Sequence, residues 1–125
     1  MLPKKTTWMI NQLKENKSIS LYNKGLVYRD YLHVNDVCDA INLICNNGEK
    51  NEIYNVSSGK PIKIKYVIDL AYKLTKSSSK INFIDPPKFH SLVQNQDFWM
   101  ENNKLNLLGF NQKFSIENTI KELCF

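Results

Sequence analysis

Apolar residues recur along this 125-residue chain in two alternating rhythms, one with helical spacing and one with the short period of strands. Met9, Ile10 and Leu13 share a face of a helix expected near Thr6 to Asn16. Val37, Ala40, Ile41 and Ile44 do the same for a helix from about Asp36 to Asn47, with Asn35 and Asp36 as capping residues and Gly48 as its end. Val67, Ile68, Ala71 and Leu74 predict a helix near Ile64 to Thr75, closed by the serine cluster Ser77 to Ser79. Ile116, Ile120 and Leu123 predict a last helix capped by Ser115, and a shorter one is expected from Asn102 to Leu108, capped by Gly109. Strands are expected at Ser18 to Tyr22, through Tyr31 and His33, at Glu52 to Val56, at Lys80 to Ile84 before Pro86-Pro87, and briefly at Asp97 to Met100. Helices and strands alternate, which predicts an α/β fold.

Composition narrows the picture. At 42% hydrophobic and 23% charged, 125 residues bury one core, so residues 1–125 are expected to form a single domain. No apolar run approaches the roughly 18 residues of a bilayer span, so no membrane partner is expected and a cytoplasmic location is the simplest reading. Cys38 and Cys45 lie two helical turns apart, about 10 Å, too far for a disulfide within one helix, and are read as reduced core residues. With Cys124, His33 and His90 they form no zinc-ligand spacing, so no metal is expected. The formal charge of +5 is spread along the chain, which favours a solvated basic surface over a nucleic-acid interface.

The densest chemistry lies in Arg29 to Val37, R-D-Y-L-H-V-N-D-V. A guanidinium presents a fixed fork of donors that matches phosphate oxygens, whereas the alternative for Arg29 is an ion pair with Asp30 or another carboxylate. This run resembles the R-D-[YF]-[IL]-H-V-x-D-V stretch of NAD-dependent nucleotide-sugar epimerases and dehydratases, the extended short-chain dehydrogenase/reductase family. Three further segments keep the family's order and spacing. Leu21 to Gly25, preceded by a helix from Pro3 to Asn16, resembles the family's "lyGdG" turn; Ile53 to Pro61, I-Y-N-V-S-S-G-K-P, resembles its "iYNvgsGkp" strand and loop; Glu101 to Lys104 and Leu108-Gly109-Phe110 resemble "D-x-x-K…LGw", with Lys113 to Leu123 as the closing helix.

The resemblance implies the C-terminal, substrate-binding portion of such an enzyme, a small mixed helix-strand unit without the Rossmann core. The four glycines are too scattered for a dinucleotide loop. The literal Tyr72-x-x-x-Lys76 follows the Y-N-V-S-S-G segment, whereas the family's catalytic pair precedes the R-D-Y motif, so it is read as a coincidence that places two side chains on one helical face. No cofactor is therefore expected on this chain, and NAD(P) is implied for the complete enzyme. By matched position, Arg29 is assigned to the diphosphate of a nucleoside-diphosphate sugar and Tyr22 to the vicinity of the nucleotide. His33 is read as a satisfied core or interface histidine and Asp36 as a charge at a helix start. The segment Pro86 to Gln94 departs from the family, which usually carries an arginine there within R-x-G-D; Lys88 or His90 would supply a weaker contact. Asn23 stands at a usual glycine, and tolerates left-handed geometry.

The first functional reading is thus the substrate-binding part of an NAD(P)-dependent epimerase, dehydratase or reductase, inactive alone and partnered by a Rossmann domain of the same enzyme or another subunit. A stand-alone remnant that binds a nucleotide sugar or a partner subunit is the alternative, and a basic nucleic-acid-binding module the third. Apolar faces around Trp8 and Trp99 are expected to be exposed or used in self-association.

Overall fold

Three amphipathic helices wrap one side of a small parallel sheet, as a computed structural model describes for residues 4–93 and 95–125. Pro3, where the resemblance to a leading helix begins, and Gln94, at the end of the departing segment, lie outside the described residues. Helix α1 spans Lys4–Lys14, strand β1 Ile19–Tyr22, strand β2 Tyr28–Asp30, helix α2 Val34–Asn47, strand β3 Pro61–Lys63, helix α3 Ile64–Thr75, strand β4 Ile81–Ile84, helix α4 Lys88–Val93, helix α5 Asn103–Leu107 and helix α6 Ile116–Cys124. The fold is α/β, with two separate two-stranded sheets. In one, β1 runs parallel to β4 with Ile19 opposite Ile81 and Tyr22 opposite Ile84. In the other, β2 runs antiparallel to β3 with Arg29 opposite Ile62.

The core lies where α1, α3 and α6 meet the inner face of β1. Met9, Ile10 and Leu13 from α1 pack with Ile19 and Leu21 from β1, Val67, Ile68 and Ala71 from α3, and Ile120 and Cys124 from α6. These are the faces that the helical periods predict, and burying each large aliphatic side chain contributes about 1.5–3 kcal/mol. Ser115 accepts the Asn118 N–H and caps α6 as expected.

Several expectations are corrected. The Tyr31 and His33 strand is not formed: β2 ends at Asp30, and Tyr31, Leu32 and His33 are all buried instead of alternating. Residues 52–56 form no strand, and the ladder forms beyond the S-S-G loop, at Pro61–Lys63. Residues 97–100 are likewise irregular, while an unforeseen short helix, α4, follows Pro86-Pro87. Helix α2 is capped by His33 rather than by Asn35 or Asp36. Cys38 and Cys45 are exposed, and Cys124 is the cysteine in the core. They share with Val34 and Ile41 the outward stripe of α2, whose buried residues are Asp36 and Ala40. Helix α3 stops at Thr75, so Lys76 is its left-handed cap and shares no helical face with Tyr72. Trp8 and Trp99 are half exposed, at 51% and 48%. Among the described residues no helix is long and apolar enough to cross a membrane.

Between β1 and β2 the chain turns through three left-handed residues, Asn23, Lys24 and Gly25, at φ of 47°, 55° and 71°. Asn23 adopts the geometry its side chain tolerates. A Cβ on Gly25 would meet the Lys65 backbone nitrogen at 3.0 Å, so this turn needs glycine to sit against the start of α3.

Candidate functional site

The polar residues of R-D-Y-L-H-V-N-D-V divide by direction. Asp30, His33 and Asp36 turn inward and hold other segments in place, whereas Arg29 lines a cleft.

Asp30 accepts the Ser58 N–H at 2.9 Å and the Ser58 hydroxyl at 2.7 Å through one oxygen, and the Met100 N–H at 3.5 Å through the other. The Asn102 amide donates to the Ser57 carbonyl at 2.9 Å, and the Ser57 hydroxyl to the Met100 carbonyl at 3.0 Å. Three of the four segments that carry the sequence resemblance, R-D-Y, S-S-G and E-N-N-K, thus meet around one carboxylate and one amide. Gly59, at φ 68°, belongs to the same junction, because a Cβ there would stand 2.6 Å from Asn102 Oδ1. Asp36 is fully buried and accepts the backbone N–H groups of Lys113 at 2.9 Å and Phe114 at 3.1 Å. Its role is therefore to tie α2 to the segment before α6, not to cap its own helix.

His33 is satisfied on both nitrogens. Its Nδ1 accepts the Asn35 N–H at 3.1 Å, its Nε2 meets Glu122 Oε2 at 2.7 Å, and its ring stacks on Phe114 at 4.0 Å between centroids. An accepting Nδ1 leaves the proton on Nε2, which donates to Glu122, and the Nδ1 lone pair is taken up by the Asn35 N–H, so neither nitrogen is open to act as a base. The reading of His33 as a satisfied histidine holds.

The cleft has a volume of about 520 Å³ and lies between α1, the end of β1, β2 and residues 95–98. Met9, Leu21, Val27 and Ile64 give it an apolar floor, and Lys5, Tyr22 and Arg29 bring polar groups to it. Arg29 Nη1 donates to the carbonyls of Tyr28 at 2.7 Å and Gln96 at 2.5 Å, which fixes the guanidinium on the crossing segment. That segment is also fastened by the Tyr28 N–H donating to Asp97 at 2.9 Å and the Phe98 N–H donating to the Tyr28 carbonyl at 3.1 Å. The Lys5 ammonium stands 4.3 Å from the Tyr22 ring centroid. Burial, and secondarily the nearby Arg29 charge, hold its pKa below the ordinary lysine range. Two cations that disfavour each other beside an apolar floor suit an anion with an apolar or aromatic appendage.

Of the four residues singled out from sequence, the structure brings three together. Tyr22 and Arg29 line the cleft, and His90 bonds to Tyr22 at its rim, Nδ1 to Oη at 2.9 Å. Lys88 is exposed on α4 and does not line the cleft. Lys5 was missed; its signal was the four-residue spacing to Met9, which places it at the edge of the core-facing side of α1. Among the described residues no group of three His, Cys, Asp or Glu side chains could hold a metal ion.

Comparison with known proteins gives a consistent set of likenesses. Residues 2–57 match the NAD dependent epimerase/dehydratase family. The chain is 30% identical over 122 residues to the CDP-abequose synthase of Salmonella muenchen, covering 93% of this chain and 39% of that protein. It is 31% identical over 108 residues to an uncharacterized protein of Methanocaldococcus jannaschii, covering 86% of this chain and 32% of that one. The fold is similar to the UDP-glucose 4-epimerase of Thermotoga maritima with UDP-glucose, at a TM-score of 0.84 and 21% identity, over 95% of this chain and 37% of that enzyme. The chain thus spans 32% to 39% of the length of these relatives.

Proposed function

This chain matches part of the NAD-dependent epimerase/dehydratase family, by sequence and by fold, and from that premise we propose that it is the C-terminal, substrate-binding portion of such an enzyme, holding the diphosphate of a nucleotide sugar. The observation that carries the reading is the convergence of Arg29, Lys5 and Tyr22 on one cleft with an apolar floor. Arg29 supplies directional donors to phosphate oxygens, Lys5 a second positive charge, and the Tyr22 ring an aromatic wall for the nucleoside.

Its partner in this reading is a Rossmann domain that brings NAD(P) and the catalytic side chains, on the same enzyme or another subunit. Two features support such a partner. Residues 52–56 carry a strand pattern, yet Ile53 is 83% exposed and the segment joins neither sheet among the described residues. Beside it in sequence, α2 presents the stripe Val34, Cys38, Ile41 and Cys45 outward. The chain's own positive-φ glycines, Gly25, Gly59 and Gly109, lie on three separate loops, which does not fit a dinucleotide-binding turn, so no step is assigned to a cofactor held by these residues. When bound to the partner domain, NAD(P) would supply hydride transfer to and from the sugar; this chain positions the substrate by its diphosphate.

Calorimetric titration of the chain with UDP-glucose, dTDP-glucose and CDP-glucose tests the reading. Saturable binding of at least one is expected, weakened about 10- to 100-fold by Arg29→Ala, as the loss of charged hydrogen bonds implies, and unaffected by Lys88→Ala. Failure of all three to bind, or equal affinity of the Arg29→Ala variant, would overturn it.

A further inference from the structure

We propose that His90 couples substrate binding to proton uptake, so that the affinity of the cleft for a nucleotide sugar rises as pH falls. The inference rests on the nucleotide-sugar reading above and adds to it a control of the site that the Tyr22–His90 contact builds in.

Tyr22 lines the cleft, and its hydroxyl lies 2.9 Å from His90 Nδ1, with the two rings tilted at 5.7 Å between centroids. When Nδ1 carries a lone pair, the phenolic O–H donates to it, and the hydroxyl has no proton left for a ligand. When the imidazole takes up a proton from solvent, both ring nitrogens carry hydrogen, Nδ1 donates to the phenolic oxygen, and the phenolic proton becomes available to an anion in the cleft. Protonation therefore adds both a positive charge and a hydrogen-bond donor to the site. Histidine is the side chain suited to this between pH 5 and 8.

The groups around the pair set the direction of the coupling. Tyr22 faces His90 from β1; the Lys5 ammonium of α1 stands over the Tyr22 ring; Arg29 of β2 lies in the same cleft; Lys88 and Phe89 precede His90 on α4, the Phe89 ring at 6.1 Å. The cleft itself holds two cations, Lys5 and Arg29, and one carboxylate, Asp97, which accepts the Tyr28 N–H at 2.9 Å. A bound diphosphate adds two negative charges beside Tyr22 and His90 and favours a positive charge there, so proton and ligand bind cooperatively. An arginine at the same place would be charged at every pH and would give no such dependence.

UDP-glucose, dTDP-glucose and CDP-glucose are suitable probes because their diphosphates have no ionisation between pH 5.5 and 8. The affinity of the parent chain for the binding sugar nucleotide is expected to rise about fivefold or more from pH 8 to pH 5.5, with net proton uptake in buffers of different ionisation enthalpy. His90→Gln is expected to bind with little pH dependence, and Tyr22→Phe with a reduced one. The chain has two histidines, and His33 is engaged by Glu122 and the Asn35 N–H, so the variants separate the two. A second measurement does not depend on a variant: the His90 ring resonances in the parent chain should titrate at higher pH with ligand than without. Pronounced binding that is flat with pH, a His90→Gln variant that keeps the parent's pH slope, or a His90 titration that ligand leaves unmoved overturns this proposal and leaves the nucleotide-sugar reading standing. Absence of binding at every pH overturns both.

Discussion

Replacing Asp36 by alanine should cost this chain much of its stability, although the residue touches no candidate ligand. Asp36 is fully buried, and its two oxygens accept the N–H groups of Lys113 and Phe114 at 2.9 and 3.1 Å. A hydrogen bond to a charged group contributes about 1.5–3 kcal/mol, and a buried donor left without a partner costs about 1–3 kcal/mol. Lys113 is exposed and Phe114 half-buried, so water can reach part of what the carboxylate leaves, which places the net loss for Asp36→Ala near the lower end for two bonds, about 3 kcal/mol. With a urea slope of about 2 kcal/mol per molar, the midpoint should fall by about 1.5 M. Asp36→Asn keeps one acceptor oxygen and should lose roughly half as much. The neighbouring Asp39 supplies the control: it pairs with Lys113 Nζ at 2.6 Å on the surface, and Asp39→Ala should change stability by less than about 1 kcal/mol. Urea denaturation followed by far-ultraviolet circular dichroism reads all three. A midpoint for Asp36→Ala within about 0.3 M of the parent would refute the idea that this carboxylate pins the chain before α6.

Other outcomes are equally specific. Among the described residues the Tyr31 hydroxyl is buried without a partner in hydrogen-bonding geometry, and burial raises its pKa while the nearby Thr6 side chain opposes the rise, so Tyr31→Phe should be neutral or stabilising by about 1 kcal/mol in thermal melts. Nitrogen-15 spectra should show His33 protonated on Nε2, and a proton on Nδ1 would contradict its cap of α2. Lys5 has a folded pKa below its unfolded one, so its charge opposes folding while both states are protonated and the opposition fades as pH rises through the folded value. Lys5→Met should accordingly melt no lower than the parent at pH 7, with any difference narrowing toward pH 10, while its affinity for a sugar nucleotide drops.

What the sequence revealed depended on whether a segment's environment is supplied by the chain itself. The buried faces of α1, α3 and α6 were legible because each packs on the other two. Residues 52–56 carry a strand pattern, yet a strand is a property of a pair, and among the described residues no strand pairs with them. Pro61 looked like loop chemistry, but it takes the end position of a two-stranded ladder, where a missing N–H is tolerated. Helix α4 was invisible because none of its residues is buried and so no face repeats. Cys38 and Cys45 were misplaced because α2 carries apolar residues on two sides, and the side turned inward holds a carboxylate and an alanine. For the site, Arg29 and Tyr22 were accessible from residue type and matched position. Lys5 was not, since a lysine on an amphipathic helix gives no sign of the tyrosine it covers until the strand is laid beside it.

The packing of α1 against both α3 and α6 has a bearing on how the protein is made. During synthesis α1 and β1 precede β4 and α6, which complete the ladder and the core, by more than fifty residues. Apolar surface on Ile10, Leu13 and Ile19 must therefore stay open on the ribosome until α6 has been added. A ribosome that stalls before Ile120 would present a collapsed but unsealed chain, a natural substrate for chaperones, and a stop codon at that point should yield degradation rather than a smaller folded product.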